Sequence, residues 1–191
     1  MNDVFKVYCV FSSDYHHLTL DTNTAHRELS LSENNRKVTR GQYQSYPEHP
    51  DRFDEWTQVL CTEGLTGRCY WQVQCSGDGG SIAVTYRGIS RKGRGGDRRL
   101  GDNDQSWSLD CSHGNSYTVR HNSKQTVLPV RVSSGSNRVA VFLDCPAGTL
   151  SFYTVFSDSL THLYTFTHTF TEPLYAGFWM WSGSVSLCEQ R

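Results

Sequence analysis

The sequence predicts an all-β protein, a sandwich of antiparallel sheets, and three observations lead to that class. Aromatic residues make up 13% of the 191 residues and charged residues only 19%, a balance that favours strands over helices. From residue 81 onward, short runs of alternating apolar and polar residues recur between clusters of Gly, Ser, Asn and Asp. The sixteen glycines supply the turns that such a chain needs. Many short strands at this spacing indicate a sandwich or barrel.

The first half of the chain predicts four strands and a loop. Residues 4–11 (VFKVYCVF) are apolar without a clear period and fit either a short helix or an edge strand. The segment 41–54 is predicted to be a loop because Pro47 and Pro50 interrupt it. The turn-like TNTAH and the glycine-bearing TEGLTGR separate the strand candidates. Those candidates are residues 18–21, 27–32, 57–61 and 69–75.

The second half is more regular, with strand candidates at short intervals and no internal repeat. FLDCPAGTLSFY is the clearest hairpin, because Pro146 and Gly148 occupy the turn between two alternating runs. The candidates are SIAVTYRGI, SWSLDC, SYTVRHN, QTVLPVRV, NRVAVFLDC, GTLSFYTV, HLYTFTHTF, PLYAGFWMW and SVSLC. A chain of this length fits one domain.

Charge and cysteine usage limit the compartment and the partners. The formal net charge of −1 gives no global field that would attract DNA or an anionic membrane. No secretory signal segment opens the chain, and no run of eighteen apolar residues spans a membrane. Seven cysteines is an odd number, and we interpret them as reduced thiols. We therefore predict a cytoplasmic protein that does not bind membranes.

Several segments resemble, in order, the blocks of one family. LTLDTNTAHRELSLSENNRKVTRG resembles the PRY segment, and PDRFDEWTQVLCTEGLTGRCYWQVQ resembles the opening of SPRY. ISRKG, NRVAVFLDCPAGTLSFYTV and LYTFTHTFTEPLYAGFWMW resemble the later SPRY blocks. Nearly the whole chain is therefore similar to a PRY-SPRY (B30.2) domain, in versions found in fish tripartite-motif proteins and fish NOD-like receptors.

The resemblance implies a concanavalin-like bent sandwich with a short N-terminal helix, a PRY part of about 1–55 and an SPRY part of about 56–191. It also implies a non-enzymatic module that recognises a protein partner or ubiquitination target through loops at one end. The parent would be an innate-immune tripartite-motif ubiquitin ligase or NOD-like receptor. Ligase activity would lie in a RING domain in other sequence, since this chain has no C-x-x-C pairs with partner histidines. Relatives dimerise through a coiled coil, so we expect the isolated domain to be a monomer.

The candidate partner contacts come from three loops and from the aromatic run 173–181. Alternation in that run buries some of its aromatic residues and exposes others, and exposed Trp would be a typical anchor. In antibody-binding relatives, residues after the position of Trp107 contact the ligand. Here Asp110 and Ser112 replace the aromatics of those relatives, so antibody recognition does not carry over. The candidates are Tyr43, Tyr46, Tyr86, Arg87, Arg98, Arg99, Asp110, Ser112, His113, Phe178, Trp179 and Trp181, whereas Trp56 and Trp71 are predicted to be core.

A basic loop, RGISRKGRGGDRRLGDND at 87–104, leaves an alternative open. Its arginines could bind RNA or a phosphorylated small ligand, as some relatives do, although it lacks the Gly-Lys-Ser/Thr of a P-loop. The other interpretation is a solvated loop whose cations are balanced by Asp97, Asp102 and Asp104.

Catalysis finds little support in the sequence. Cys111 and His113 would share a strand face, but a thiol and a base make only half of a nucleophilic site. The spacing of Cys61, Cys69 and Cys75 fits no usual zinc pattern. Hydrolysis by a lectin-like sandwich would need paired carboxylates, and Asp102 and Asp104 lie on a loop without a matched groove. We predict no catalytic residue, no metal and no cofactor.

Overall fold

The computed structural model describes residues 12–189 apart from residues 78, 113–115, 132–136 and 158. It contains two antiparallel sheets, which confirms the predicted all-β class. The strands are β1 (Leu29–Ser32), β2 (Lys37–Arg40), β3 (Gln58–Leu60), β4 (Arg68–Ser76), β5 (Gly79–Tyr86), β6 (Ser106–Ser112), β7 (Ser116–His121), β8 (Lys124–Arg131), β9 (Arg138–Asp144), β10 (Thr149–Phe156), β11 (Ser159–Thr167), β12 (Leu174–Met180) and β13 (Ser184–Leu187).

Helical structure is limited to short turns in the part of the chain described above. Ser12–Asp14 and Gly96–Arg98 each form one 3-10 turn. The short N-terminal helix expected from the family resemblance falls mainly on residues 1–11, outside the described residues. The strand predicted at 18–21 is reduced to a single bridge between Leu20 and Cys61, and residues 22–24 form a turn shortly after it.

The two sheets pack face to face, and the strand order explains which residues meet. The first sheet has the order β1-β2-β13-β4-β9-β10-β11, and the second has the order β3-β12-β5-β6-β7-β8. Trp71 of the first sheet and Trp107 and Phe178 of the second are each 1% exposed and belong to one core cluster. The prediction that Trp71 is a core residue is confirmed.

The hairpin of β9 and β10 forms where the sequence predicts it. Asp144 Oδ1 accepts a hydrogen bond of 2.9 Å from the Ala147 amide, and this bond closes the turn after the strand. Gly148 has a φ of +68°, and a Cβ there would lie 2.4 Å from the carbonyl oxygen of His168. Only glycine satisfies both demands.

The strand β13 comes last along the chain and lies between β2 and β4 in the first sheet. Val185 lies opposite Val38 of β2 on one side and opposite Cys75 of β4 on the other. The N-terminal hairpin of β1 and β2 is therefore attached to the rest of the first sheet only through β13.

Candidate functional site

A cleft of about 540 Å³ opens between the N-terminal hairpin, residues 54–57 and the end of β12. We call it the aromatic cleft. Three kinds of side chain line it: the aromatic residues Tyr43, Trp56 and Trp179, the carboxylates Glu28, Asp54 and Glu55, and the guanidinium groups Arg27, Arg40 and Arg94, with His26 and Thr57 completing the wall. Three rings thus lie among eight polar or charged side chains, and Trp, Tyr and Arg are enriched at protein interfaces.

Strand alternation places Trp179 in this cleft. Leu174, Ala176, Phe178 and Met180 of β12 face the core between the sheets, so Tyr175 and Trp179 face outward. Trp56 precedes β3, and its indole Nε1 donates a hydrogen bond of 3.1 Å to the carbonyl of Gly95. The indole of Trp179 meets that of Trp56 edge to face at 5.9 Å and that of Trp181 at 4.9 Å.

Arg99 holds this aromatic cluster in place. Its guanidinium carbon lies 4.5 Å from the ring centroid of Trp179 and 5.5 Å from that of Trp56. Asp102 forms an ion pair with Arg99 and thereby fixes the guanidinium. A cation over an indole contributes about 0.5–2 kcal/mol. The two indoles are therefore already ordered, which would lower the entropic cost of a contact made by them.

Asp110 lies on the same face of the second sheet as Trp179, but its side chain is buried. In the register, Trp179, Ser81 and Asp110 lie directly opposite one another on neighbouring strands. The Asp110 carboxylate accepts hydrogen bonds of 2.8 Å from Ser81 Oγ and 2.5 Å from Arg120 Nε, and the residue is only 4% exposed. The prediction that Asp110 contacts a partner is therefore corrected, because both of its carboxylate oxygens accept hydrogen bonds from neighbouring strands of the sheet. Ser112 ends β6, and its side chain and all of His113 lie outside the described residues.

Phe178 and Tyr86 are also corrected as contact candidates, whereas Tyr46 is half-buried and stays a prediction. Phe178 is 1% exposed and packs in the core, so it has no surface to offer. Tyr86 is buried edge-on against Trp107 at 5.6 Å, and its hydroxyl accepts a bond from the Thr171 amide. Tyr46 donates its hydroxyl proton to the Leu29 carbonyl at 2.8 Å, and partial burial raises the pKa of this phenol.

The remaining aromatic candidates do reach the surface. Tyr43 is 68% exposed at the rim of the cleft, where Arg27 lies 5.8 Å from its ring. Trp181 is half-buried and packs so closely on Gly79 that a Cβ there would lie 2.3 Å from the indole Nε1. Trp56 was predicted to be core, yet it is half-buried and lines the cleft. In the sequence, Trp56 follows the acidic pair 54–55 and precedes a short strand. This position could have indicated a residue at the edge of the core.

The basic loop holds its cations through internal contacts. Arg91 donates to the carbonyls of Ile89, Asp51 and Arg87, and burial lowers its pKa. The other cations have partners too: Arg87 with Asp51 at 3.1 Å, Lys92 with the Arg52 carbonyl at 2.9 Å, Arg94 with Glu55 at 2.6 Å, Arg98 with Asp97 at 3.4 Å and Arg99 with Asp102. Arg87, Arg98 and Arg99 therefore help to fold the loop, and an anion would have to replace these partners.

The thiol groups show no nucleophilic arrangement. A hydrogen bond with Cys75 and burial raise the pKa of Cys111 well above its usual range, which disfavours the thiolate. Cys69 Sγ lies 3.6 Å from His16 Nε2, but Cys69 is 1% exposed and burial raises its pKa. The six cysteines of the described chain are free, and in the same residues no three His, Cys, Asp or Glu side chains cluster to hold a metal ion. None of the described helices is long and apolar enough to cross a membrane.

Comparison with known proteins decides the family. The SPRY-associated domain (PRY) matches residues 18–65, and the SPRY domain matches residues 68–190. The chain belongs to the PRY-SPRY family. The crystal structure of the TRIM65 PSpry domain superposes with a TM-score of 0.85 at 27% identity, covering 100% of this chain and 98% of that chain. SPRY domains are binding modules, and this chain is accordingly a protein-interaction module.

Fish toxins and a tripartite-motif protein are among the relatives. The beta subunit of stonustoxin from Synanceia horrida is 46% identical over 84% of this chain and 23% of its own length. Tripartite motif-containing protein 16 from Mus musculus is 39% identical over 85% of this chain and 29% of its own length. The stonustoxin structure superposes with a TM-score of 0.83 over 91% of this chain. The chain thus spans about a quarter of these relatives, whose whole-protein activities do not transfer to it.

Proposed function

We propose that this PRY-SPRY domain selects a protein partner or ubiquitination target through the aromatic cleft. We further propose that it acts in the cytoplasm, as the monomeric recognition part of an innate-immune tripartite-motif ligase or NOD-like receptor. The observation that carries the site is the set of three accessible rings, Tyr43, Trp56 and Trp179, around one cleft. The likeness to tripartite motif-containing protein 16 and to the TRIM65 PSpry domain supports the parent class.

The cleft has the composition of an interface centre. Trp, Tyr and Arg are the residues that most often dominate binding energy, and all three occur here in a partly desolvated recess. An interface centred on the cleft would bury roughly 1,200–2,000 Å² in total, the usual range for specific complexes. Binding of RNA or a phosphorylated ligand by the basic loop is not favoured by a comparable observation, because its cations are paired internally.

Quantitative affinity capture tests the site with a matched pair of variants. Tyr43→Ala removes an exposed ring from the cleft, and Phe156→Ala removes one that is 56% exposed at the end of β10, a strand that does not line the cleft. We expect cytosolic proteins retained by the wild-type domain to be lost with Tyr43→Ala and kept with Phe156→Ala. Retention of the same proteins by both variants, each with an unchanged urea midpoint, would exclude the cleft as the recognition site.

A further inference from the structure

The charges that line the aromatic cleft are neutralised in pairs, with one exception. Arg40 pairs with Glu28 at 2.9 Å, and Arg94 pairs with Glu55 at 2.6 Å. Arg27 pairs with Glu48, which lies just outside the lining. Each arginine of the cleft therefore already has a carboxylate, and the cleft offers no unpaired cation to an acidic partner.

The arginines are also held by the backbone. Arg40 donates to the carbonyls of Met180 at 3.3 Å and Trp181 at 3.1 Å. Arg27 donates to the carbonyl of Tyr46. An anion that captured either guanidinium would have to break these hydrogen bonds. The guanidinium groups therefore line the cleft as fixed structural groups and are not available to bind an anion.

Asp54 is the exception. Its Oδ1 accepts a hydrogen bond of 2.8 Å from the Gly93 amide, which orients the carboxylate without neutralising it. No lysine, arginine or histidine of the described residues forms an ion pair with this group. Asp54 is exposed and lines the same cleft as Trp56 and Trp179. One oriented, unpaired carboxylate therefore stands beside two electron-rich rings.

We propose that the partner of the aromatic cleft is a linear protein segment that presents a lysine or arginine to Asp54. This inference rests on the proposed function, since it names the chemistry of the segment bound there. The cation would pair with the carboxylate, and its methylene stem would cover the rings, a contact that both the charge and the stem favour. An acidic segment would meet Asp54 without compensation and would be disfavoured.

A peptide selection tests the charge preference directly. The probe is a library of random peptides displayed on phage, selected on the wild-type domain, and the enriched peptides are synthesised for affinity measurement. We expect each enriched sequence to contain Lys or Arg. Asp54→Asn keeps the shape and the Gly93 contact but removes the charge, and it should weaken binding about two- to fivefold, more at low salt than at high salt. Asp104→Asn, which removes an exposed carboxylate of the basic loop, is the matched control and should change nothing.

A double-mutant cycle completes the test. Replacing the peptide cation by norleucine should weaken binding to the wild-type domain and leave binding to Asp54→Asn unchanged. Enriched peptides that lack Lys and Arg yet lose binding with Tyr43→Ala would overturn the charge inference and leave the cleft intact. Peptides indifferent to Tyr43→Ala would overturn the cleft itself. A selection that enriches no peptide would overturn recognition of a linear segment, while affinity capture would still decide the cleft.

Discussion

The aromatic cleft and the basic loop both concentrate side chains that commonly bind ligands, but the fold uses them differently. In the basic loop Arg91 points inward and satisfies three backbone carbonyls, so a conspicuous cation is part of the scaffold. In the cleft, Tyr43 is 68% exposed and Asp54 has no ion-pair partner among the described residues. The difference teaches that residue type is a weak guide to a binding site. What matters is whether the group already has a hydrogen-bond or ion-pair partner within the folded chain.

Replacement of Arg91 by alanine gives the largest expected effect. Three carbonyls would lose their donor, and Phe53 would lose the guanidinium that lies 4.9 Å from its ring. We expect the free energy of unfolding in urea to fall by about 2–4 kcal/mol. Arg94→Ala is the control, because this side chain is 87% exposed and its loss should leave the free energy of unfolding nearly unchanged. Equal effects for the two variants would remove the distinction between scaffold cation and surface cation.

Replacement of Trp179 by alanine should act on binding more than on folding. The indole is a wall of the cleft and the platform for Arg99, so we expect at least about 30-fold weaker binding of a selected peptide. Trp179→Phe keeps an aromatic face for Arg99 and should recover part of the affinity. Isothermal titration calorimetry measures both. Full affinity in Trp179→Ala would place recognition outside the cleft.

A smaller effect is expected from pH, through His26 in the cleft wall. Its Nδ1 accepts a 3.0 Å hydrogen bond from the Glu28 amide, while its Nε2–H donates to the Asp54 carbonyl at 3.1 Å. Burial is the main cause that lowers its pKa below 6.5. Protonation would turn the Nδ1 acceptor into a donor and break the first bond. The contribution of His26 to stability is therefore intact above pH 6.5 and is lost as pH falls from there through the lower pKa of the folded state.

The variant His26→Gln isolates this pH effect from the other histidines. A glutamine amide can accept and donate at the same two places but does not titrate. The difference between the urea unfolding free energies of wild type and variant should stay constant above pH 6.5 and change below it in favour of the variant. A difference that is flat over the whole range would show that His26 does not respond to acid in the folded protein.

RNA binding by the basic loop is the smallest effect we expect. Each cation of the loop has an internal partner, so few are free to release counterions from a phosphate chain. Filter binding with mixed-sequence single-stranded RNA at moderate salt should give no saturable retention. Saturable retention that weakens steeply with salt and is abolished by Arg98→Ala would reverse the contrast between the loop and the cleft.

The run 173–181 shows how far the sequence could predict this arrangement. Alternation correctly indicates that β12 buries one set of side chains and exposes the other. The sequence could not show which set is buried, because Phe178 and Met180 are as apolar as Trp179 and Trp181. No polar residue marks the outer face. In the structure, Phe178 and Met180 are the buried set and pack in the core.

The cleft itself could not be predicted, because its walls come from distant parts of the chain. Tyr43 and Trp179 were each predicted as contacts, but only the tertiary structure places them beside Asp54 and Trp56. Asp110 failed for a different reason. It was proposed from its position relative to Trp107 in the family, but Arg120, on the neighbouring strand, uses its carboxylate. Local patterns do not record such long-range pairing.

The position of β13 has a consequence for biosynthesis. Because β13 lies between β2 and β4, these two strands each keep an unpaired edge until residues 184–187 have been synthesised. The hairpin of β1 and β2, which carries Arg40 of the cleft, cannot join the first sheet before that moment. Exposed strand edges favour pairing with other chains, so the nascent domain is prone to aggregate during this period. We expect a nonsense codon shortly before Ser184 to yield an aggregating chain that has every strand of the second sheet but lacks the strand that joins β2 to β4 in the first.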